Sequence, residues 1–249
     1  MLRVLIGGVT GWTGAPLALA VEGAEDLEYV GGVARSGAQF ASVEEGLAAA
    51  RPDVYVDYTS AAVVRGHVDA ALAAGAHVVV GSSGLSERDY AEIDAAARAA
   101  GRGVVAAGNF SVFAATLLHA ATLAARYVEH WELIDYGSSG KPDVPSGTSR
   151  ELAERLAEIH PPAPAEHDGD LIGPPEARGA SVNGTRIHSV RLPGYSLSTQ
   201  AILATADERL IIRHEAGSSA DPYIAGTLLA IRRVPTVTGV LRGLDRLLF

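Results

Sequence analysis

The run Gly8-Val9-Thr10-Gly11-Trp12-Thr13-Gly14 constrains this chain more than any other stretch. A short apolar segment, residues 2–6, precedes it and reads as a buried strand. Residues 16–21 follow as an apolar helix, and Leu27–Val33 reads as a second strand. The spacing G-x-x-G-x-x-G is a variant of the familiar G-x-G-x-x-G turn. Glycine removes the Cβ, so backbone can approach a pyrophosphate closely, and free N–H groups at the following helix's start attract the anion. Glycines alone also make plain turns. It is the order strand, glycine turn, helix, strand that points to a dinucleotide-binding unit. Gly8, Thr10, Gly11, Trp12, Thr13 and Gly14 are therefore expected to line a cofactor.

The alternation continues, with abundant Ala and Gly, as an α/β layer architecture requires. Val43–Ala50 reads as a helix, Val54–Asp57 as a strand, 61–74 as a helix ending at Gly75, and His77–Val80 as a strand. Residues 86–100 open with Ser86 and Asp89, which suit a capped helix start. Gly101 ends that helix and 103–107 is the next strand. Strands alternating with helices imply a mostly parallel sheet. Past Asn109 the pattern changes. Helices are expected at 112–127, 149–159 and 222–234, and strands at 132–136, 187–191, 198–205 and 209–215. The segment 160–183, rich in Pro, Gly and charge, reads as a long loop. Successive strands imply a mixed or antiparallel sheet, so an α+β arrangement follows the α/β one.

Composition narrows the partners. A formal net charge of -9 argues against non-specific binding to nucleic acid or anionic membranes. With no cysteine, disulfides, thiolate metal sites and cysteine nucleophiles are excluded. The histidines lack ligand spacing, so no metal is expected. His160 and His167 read as exposed loop residues, and Asp168 and Asp170 as loop solvation. Residues 2–6 lead straight into glycines with only Arg3 positive, unlike a signal peptide. No segment is apolar enough to span a bilayer. A cytoplasmic protein is the expectation.

The second strand ends Gly31-Gly32-Val33-Ala34-Arg35-Ser36. An acid at this point would hold ribose hydroxyls. The guanidinium of Arg35 and the hydroxyl of Ser36 suit a 2′-phosphate instead, unless Arg35 is simply a solvated surface residue. The expected cofactor is NADPH, with NADH possible. Later turns sit where parallel strands should end and line a crevice. Tyr58 and Thr59, then Gly81, Ser82 and Ser83, are expected near the nicotinamide ribose. Asn109 and Phe110 would flank the nicotinamide or form a hinge.

The sharpest segment is Lys141-Pro142-Asp143-Val144-Pro145-Ser146-Gly147-Thr148. Ser146, Gly147 and Thr148 precede a helix, and their N–H groups and hydroxyls suit a carboxylate. Lys141 adds positive charge, and Asp143 can tether the loop or orient the lysine.

Here the chain resembles the dihydrodipicolinate reductases, whose signature has the form E-x-H-H-x-x-K-x-D-x-P-S-G-T. Asp135 through Thr148 matches it in register for the lysine, the aspartate and P-S-G-T. Gly8, Gly11 and Gly14 match the family's G-x-x-G-R-M-G. Asp57-Tyr58-Thr59 looks like its D-F-T turn, Gly81-Ser82-Ser83-Gly84 its G-T-T-G turn, Asn109-Phe110-Ser111 its N-F-S segment, and His188-Ser189-Val190-Arg191 its H-S-V-R strand. The resemblance implies a Rossmann domain at 1–109 and 220–249 and a mixed-sheet substrate-binding and oligomerisation domain at 110–219. It also implies a homotetramer and reduction of a cyclic imine bearing two carboxylates. Lys141 would stabilise negative charge or deliver a proton. Gly147 and Thr148, with Ser146 and Ser138 nearby, would hold the substrate.

The departures matter equally. The family's two histidines, one assigned as proton donor, fall at Gly137 and Ser138. Neither residue is a competent acid near neutral pH, and general acid help is typically worth about 10²–10⁴-fold. Trp12 replaces the arginine of the nucleotide turn. Tyr136 could substitute as a donor but reads better as packing under the loop, and His188 as a structural hydrogen bond. Three readings stay open: a lysine-pathway reductase with altered acid chemistry, a relative that reduces a different cyclic imine, and a non-catalytic nucleotide sensor.

Overall fold

A computed structural model describes residues 1–165 and 169–249; His167 and Asp168 lie outside the described residues. In chain order the first elements are β1 (Leu2–Gly7), α1 (Gly14–Glu22), β2 (Leu27–Val33), α2 (Val43–Ala50), β3 (Val54–Asp57), α3 (Val64–Ala73), β4 (His77–Val80), α4 (Glu87–Ala100) and β5 (Gly103–Ala106). Then come α5 (Val112–Ala125), β6 (His130–Gly137), α6 (Gly147–Ala157), β7 (Ala180–Val182), β8 (Thr185–Arg191), β9 (Leu197–Ala204) and β10 (Arg209–Ala216). The chain finishes with α7 (Asp221–Arg233), β11 (Gly239–Arg242) and α8 (Asp245–Leu248). It divides into two units, Met1–Val112 with Ala220–Phe249, and Phe113–Ser219.

The first unit is a six-stranded parallel sheet in the order β11-β5-β4-β3-β1-β2. Its central strands are mostly apolar and nearly fully buried, as a sheet covered on both faces demands. Helices form where the sequence supplies their ends. Ser86 caps α4 in a reciprocal capping box with Asp89, and Gly101, at φ 63°, closes it. Strand order reverses between β1 and β3, so the carboxyl ends of those two strands bound the crevice where such sheets bind ligands.

The second unit is a mixed sheet in the order β10-β9-β6-β8-β7, with β6 and β8 parallel and the other pairs antiparallel. Burial alternates along β6. Trp131 and Leu133 lie on the face packed with Leu117, Leu118, Leu152 and Leu156. Asp135 and Gly137 continue that same row. A carboxylate therefore sits at the end of an apolar stripe, where it must find partners.

Three expectations need correction. Residues 160–183 are not wholly loop: a 3-10 turn, Pro175–Arg178, and the short edge strand β7 lie there. His160 is not an exposed loop residue; its ring packs 4.9 Å from that of Trp131 and its Nε2 lies 2.9 Å from the Ala125 carbonyl. The helix expected at 222–234 is not the last element, because β11 and α8 follow it and β11 extends the parallel sheet. Smaller shifts occur at helix starts: α3 begins at Val64 after a turn on the Ser60 carbonyl, and α6 begins at Gly147.

Candidate active site

The glycine turn is built from main chain. The N–H groups of Gly8 and Val9 donate to the Val33 carbonyl at 2.9 and 3.3 Å, and that of Gly11 to the Gly8 carbonyl at 2.9 Å. Gly8 has φ +78°, and a Cβ there would run into the Tyr58 carbonyl; a Cβ on Gly14 would run into the Gly8 carbonyl. The α1 N-cap, Thr13, makes no side-chain cap bond, and no acid occupies the first turn. An open, positively polarised helix end above bare backbone fits a phosphate. Trp12 is 59% exposed and meets the Tyr223 ring edge-on at 5.6 Å. Thr10, Arg35 and Ser36 are exposed, and Arg35 forms no ion pair among the described residues.

At the end of β3 the sequence reading missed a hub. Asp57 is fully buried. It accepts from the Tyr55 hydroxyl at 2.8 Å, the Thr59 N–H at 3.1 Å, the Thr59 hydroxyl at 2.7 Å and the Ser82 hydroxyl at 2.6 Å. His67 Nδ1, from α3, lies 2.9 Å away. Burial pulls the Asp57 carboxyl up, but hydrogen bonds from His67, Ser82, Thr59 and Tyr55 outweigh it and hold the group below its ordinary value. The hydroxyls of Thr59 and Ser82 thus point at Asp57, and these turns present main chain outward. Tyr58 gives its hydroxyl to Thr227 at 2.6 Å, since Thr227 itself donates to the Tyr223 carbonyl. Burial raises the Tyr58 phenol's pKa. Gly81 lies directly under the Tyr58 ring. Phe110 is buried edge-on to Tyr58, Asn109 is buried with its Oδ1 on the Ser111 N–H, and Ser83 is exposed.

The lysine loop, in the second unit, is built from side chains. Sheet register sets it up: Asp135 pairs with Ser189 on β8 and Thr199 on β9, and Gly137 pairs with Arg191. Asp135, fully buried, accepts from Arg191 Nη2 at 2.7 Å, the Ser146 N–H at 3.0 Å, and the hydroxyls of Ser149 and Ser189 at 3.1 Å each. Burial raises its pKa, yet Ser146 and Arg191 pull harder, and the net shift is downward. Ser146 caps α6, accepting from the Ser149 N–H, so both its N–H and its hydroxyl shape the loop. Gly147 is exposed with open space where a Cβ would stand, and Thr148 is buried beside it. No acid lies in the first turn of α6. Lys141 gives its N–H to the Ser138 carbonyl at 3.1 Å and its ammonium to Asp143 Oδ1 at 2.9 Å.

Lys141 is the only lysine in the sequence; apart from the histidines, every other basic side chain is arginine. Counting residue types would have exposed this signal. Arginine stays charged under all ordinary conditions, whereas an ammonium can release a proton. The alternative donors are occupied. Tyr136 packs between Tyr195, at 5.0 Å, and the Arg213 guanidinium, at 4.5 Å, and His188 Nε2 lies 2.7 Å from Glu132. Among the described residues no group of His, Asp or Glu could hold a metal, and no helix is long and apolar enough to cross a membrane.

Comparison with known proteins gives a consistent result. Residues 2–110 match the family described as dihydrodipicolinate reductase, N-terminus, and residues 109–248 match dihydrodipicolinate reductase, C-terminus. The chain is 34% identical over 248 residues to the 4-hydroxy-tetrahydrodipicolinate reductase of Mycolicibacterium smegmatis, covering 99% of each chain. It is 35% identical over 253 residues to that of Streptomyces coelicolor, covering 99% of this chain and 98% of the relative. Among solved structures, a dipicolinate-bound dihydrodipicolinate reductase from Paenisporosarcina sp. TG-14 superposes with a TM-score of 0.87 at 27% identity, covering 99% of both chains.

Proposed function

This chain belongs to the dihydrodipicolinate reductase family, an oxidoreductase family, and on that premise we propose that it reduces a cyclic imine bearing carboxylates, with NADPH preferred over NADH. The substrate class follows its relatives, named as 4-hydroxy-tetrahydrodipicolinate reductases. The single observation that carries the reading is that the only lysine stands on the loop that leads into the open N-terminus of α6. One group can neutralise or protonate developing charge, and the other can hold a carboxylate.

Gly8, Thr10, Gly11, Trp12, Thr13 and Gly14 would hold the pyrophosphate, because a Cβ at Gly8 or Gly14 would push apart the backbone that shapes the turn. Arg35 and Ser36 would take a 2′-phosphate. Main chain at Tyr58, Thr59, Gly81, Ser82, Ser83, Asn109 and Phe110 would border the nicotinamide half. Bound NADPH supplies a hydride. The chain supplies the rest: the N–H groups of Gly147 and Thr148 orient a substrate carboxylate, and Ser138 offers a hydroxyl. Lys141, which holds its proton against Asp143, would give it to the atom left with the electron pair after hydride addition, the imine nitrogen or the carbon conjugated with it. Homotetramer assembly through the mixed sheet and a cytoplasmic location belong to the proposal and rest on the family resemblance.

The test is NADPH oxidation with 4-hydroxy-tetrahydrodipicolinate. The Lys141→Ala variant should lose about 10²–10⁴-fold in kcat with NADPH affinity retained; wild-type rates in that variant would overturn the assignment. Gly137 and Ser138, standing where the family has histidines, favour one second reading, a relative acting on a different cyclic imine. A panel of cyclic imines with fewer carboxylates separates the two by which substrate has the higher kcat/KM.

A further inference from the structure

The mixed sheet brings Arg191 across from Gly137, and this pair has a consequence for Lys141. We propose that Arg191 is a positioning residue for Lys141, and that it serves this role because position 137 carries no side chain. The proposal rests on the reading of Lys141 as the proton-bearing group.

The guanidinium of Arg191 is mostly buried. Its Nη2 donates to Asp135 Oδ2 at 2.7 Å and to the Asp143 carbonyl at 2.6 Å. Its Nη1 donates to the carbonyls of Asp135 at 3.3 Å and Val190 at 3.0 Å. One side chain therefore ties the strand before the lysine loop to the second residue after the lysine. Asp143 completes the brace, since its carbonyl is held by Arg191 and its carboxylate holds the Lys141 ammonium. An arginine fork can do this because its donors are fixed in one plane; a lysine cannot.

Gly137 makes the geometry possible. A Cβ there would lie 3.0 Å from Lys141 Cδ and 3.2 Å from Arg191 Nε and Cζ. The lysine stem and the guanidinium both pack over the bare Cα of β6, in the space that a side chain would occupy. The remaining donor, Arg191 Nε, is buried there without an acceptor. A buried N–H left unpaired is unfavourable, so the guanidinium occupies this spot at a cost, offset by its four hydrogen bonds to Asp135, Val190 and Asp143. With glycine at position 137, the arginine of β8 thus sets where the ammonium stands.

The experiment uses Arg191→Lys and Gly137→Ala, with the circular dichroism and NADPH affinity of each compared with wild type. Both variants should lower kcat at least about tenfold, as small misplacements of a reacting group do, with KM for NADPH within about twofold. Because Lys141 is the only lysine of the wild type, its ε-amine can also be followed without substrate, by competitive acylation at fixed pH and peptide-resolved mass spectrometry, which separates it from the amine introduced at position 191. Each variant should change the rate at which the Lys141 amine is acylated by about twofold or more as the Asp143 pairing loosens. Should Arg191→Lys fail to fold, Gly137→Ala carries the test alone. Unchanged amine reactivity in folded variants would overturn the proposal, whatever their turnover. If wild-type protein reduced no imine, the reductase reading would fail, while the amine measurement would still decide whether Arg191 positions Lys141.

Discussion

The glycine turn and the lysine loop each offer a helix N-terminus to an anion, yet they are made in opposite ways. The turn is backbone against backbone: Gly8 abuts the Tyr58 carbonyl, Gly14 abuts the Gly8 carbonyl, and the α1 cap makes no side-chain bond. The loop is held from beneath by a buried carboxylate that takes four donors, three of them side chains from α6 and β8. A cradle made of main chain fails when an atom is added. A platform made of buried charge fails when a partner is removed, and it responds to acid.

The largest effect should come from Asp135→Asn. It leaves Arg191 buried against a neutral amide, and breaking a buried pair from one side costs about 3–5 kcal/mol. Thermal and urea melts should show that loss, with the NADPH affinity of the intact fraction unchanged. A melt equal to wild type would mean that the loop does not depend on its buried charge. The same residue sets a pH dependence. Its folded-state pKa is held below the ordinary carboxylate value, so its stabilisation is complete above the unfolded value of about 3.9 and is lost as pH falls through the folded value. Asp57, shifted the same way, acts in the same window. Asp135→Asn should therefore flatten, and not abolish, the acid dependence of stability.

Gly8→Ala should come next. A positive φ and a collision with the Tyr58 carbonyl together cost about 1–3 kcal/mol, and NADPH affinity should fall at least about tenfold because the cradle itself moves. Cofactor binding equal to wild type would show that the turn tolerates an added atom, and the contrast with the loop would dissolve. The smallest effect should be Arg35→Ala. Removing an exposed guanidinium should weaken NADPH by roughly tenfold, about 1.4 kcal/mol, while leaving NADH unchanged. Equal losses for both would remove the 2′-phosphate argument.

This contrast also explains what was legible in the sequence. Strands β2, β3 and β4 and helix α2 fall at the residues read from apolar runs and their stops, because parallel strands buried on both faces announce themselves. Strand β11 did not. Its four residues, Gly239–Arg242, run up to Gly243 and become a strand only by pairing with β5. Strand β7 had a usable signal in Asn183-Gly184, both at positive φ, a dipeptide that marks a tight hairpin; the surrounding Pro-rich stretch masked it. Glycine spacing exposed the turn because spacing is local. The hubs at Asp57 and Asp135 were hidden because their donors come from residues up to 56 positions away. Lys141 beside Asp143 was readable; the fact that it is the sole lysine was equally readable and needed only a count.

The position of β11 bears on how the polypeptide comes together during synthesis. Gly239 pairs with Gly103, and the N–H of Gly243 closes on the Ala106 carbonyl. The last partner of a buried apolar strand thus leaves the ribosome only after the whole second unit has been made. Until then the nascent nucleotide unit carries an open edge at residues 103–106, an invitation to pair with a neighbouring chain. Trimming a dozen residues from the carboxyl terminus would accordingly damage the half of the protein that is translated first.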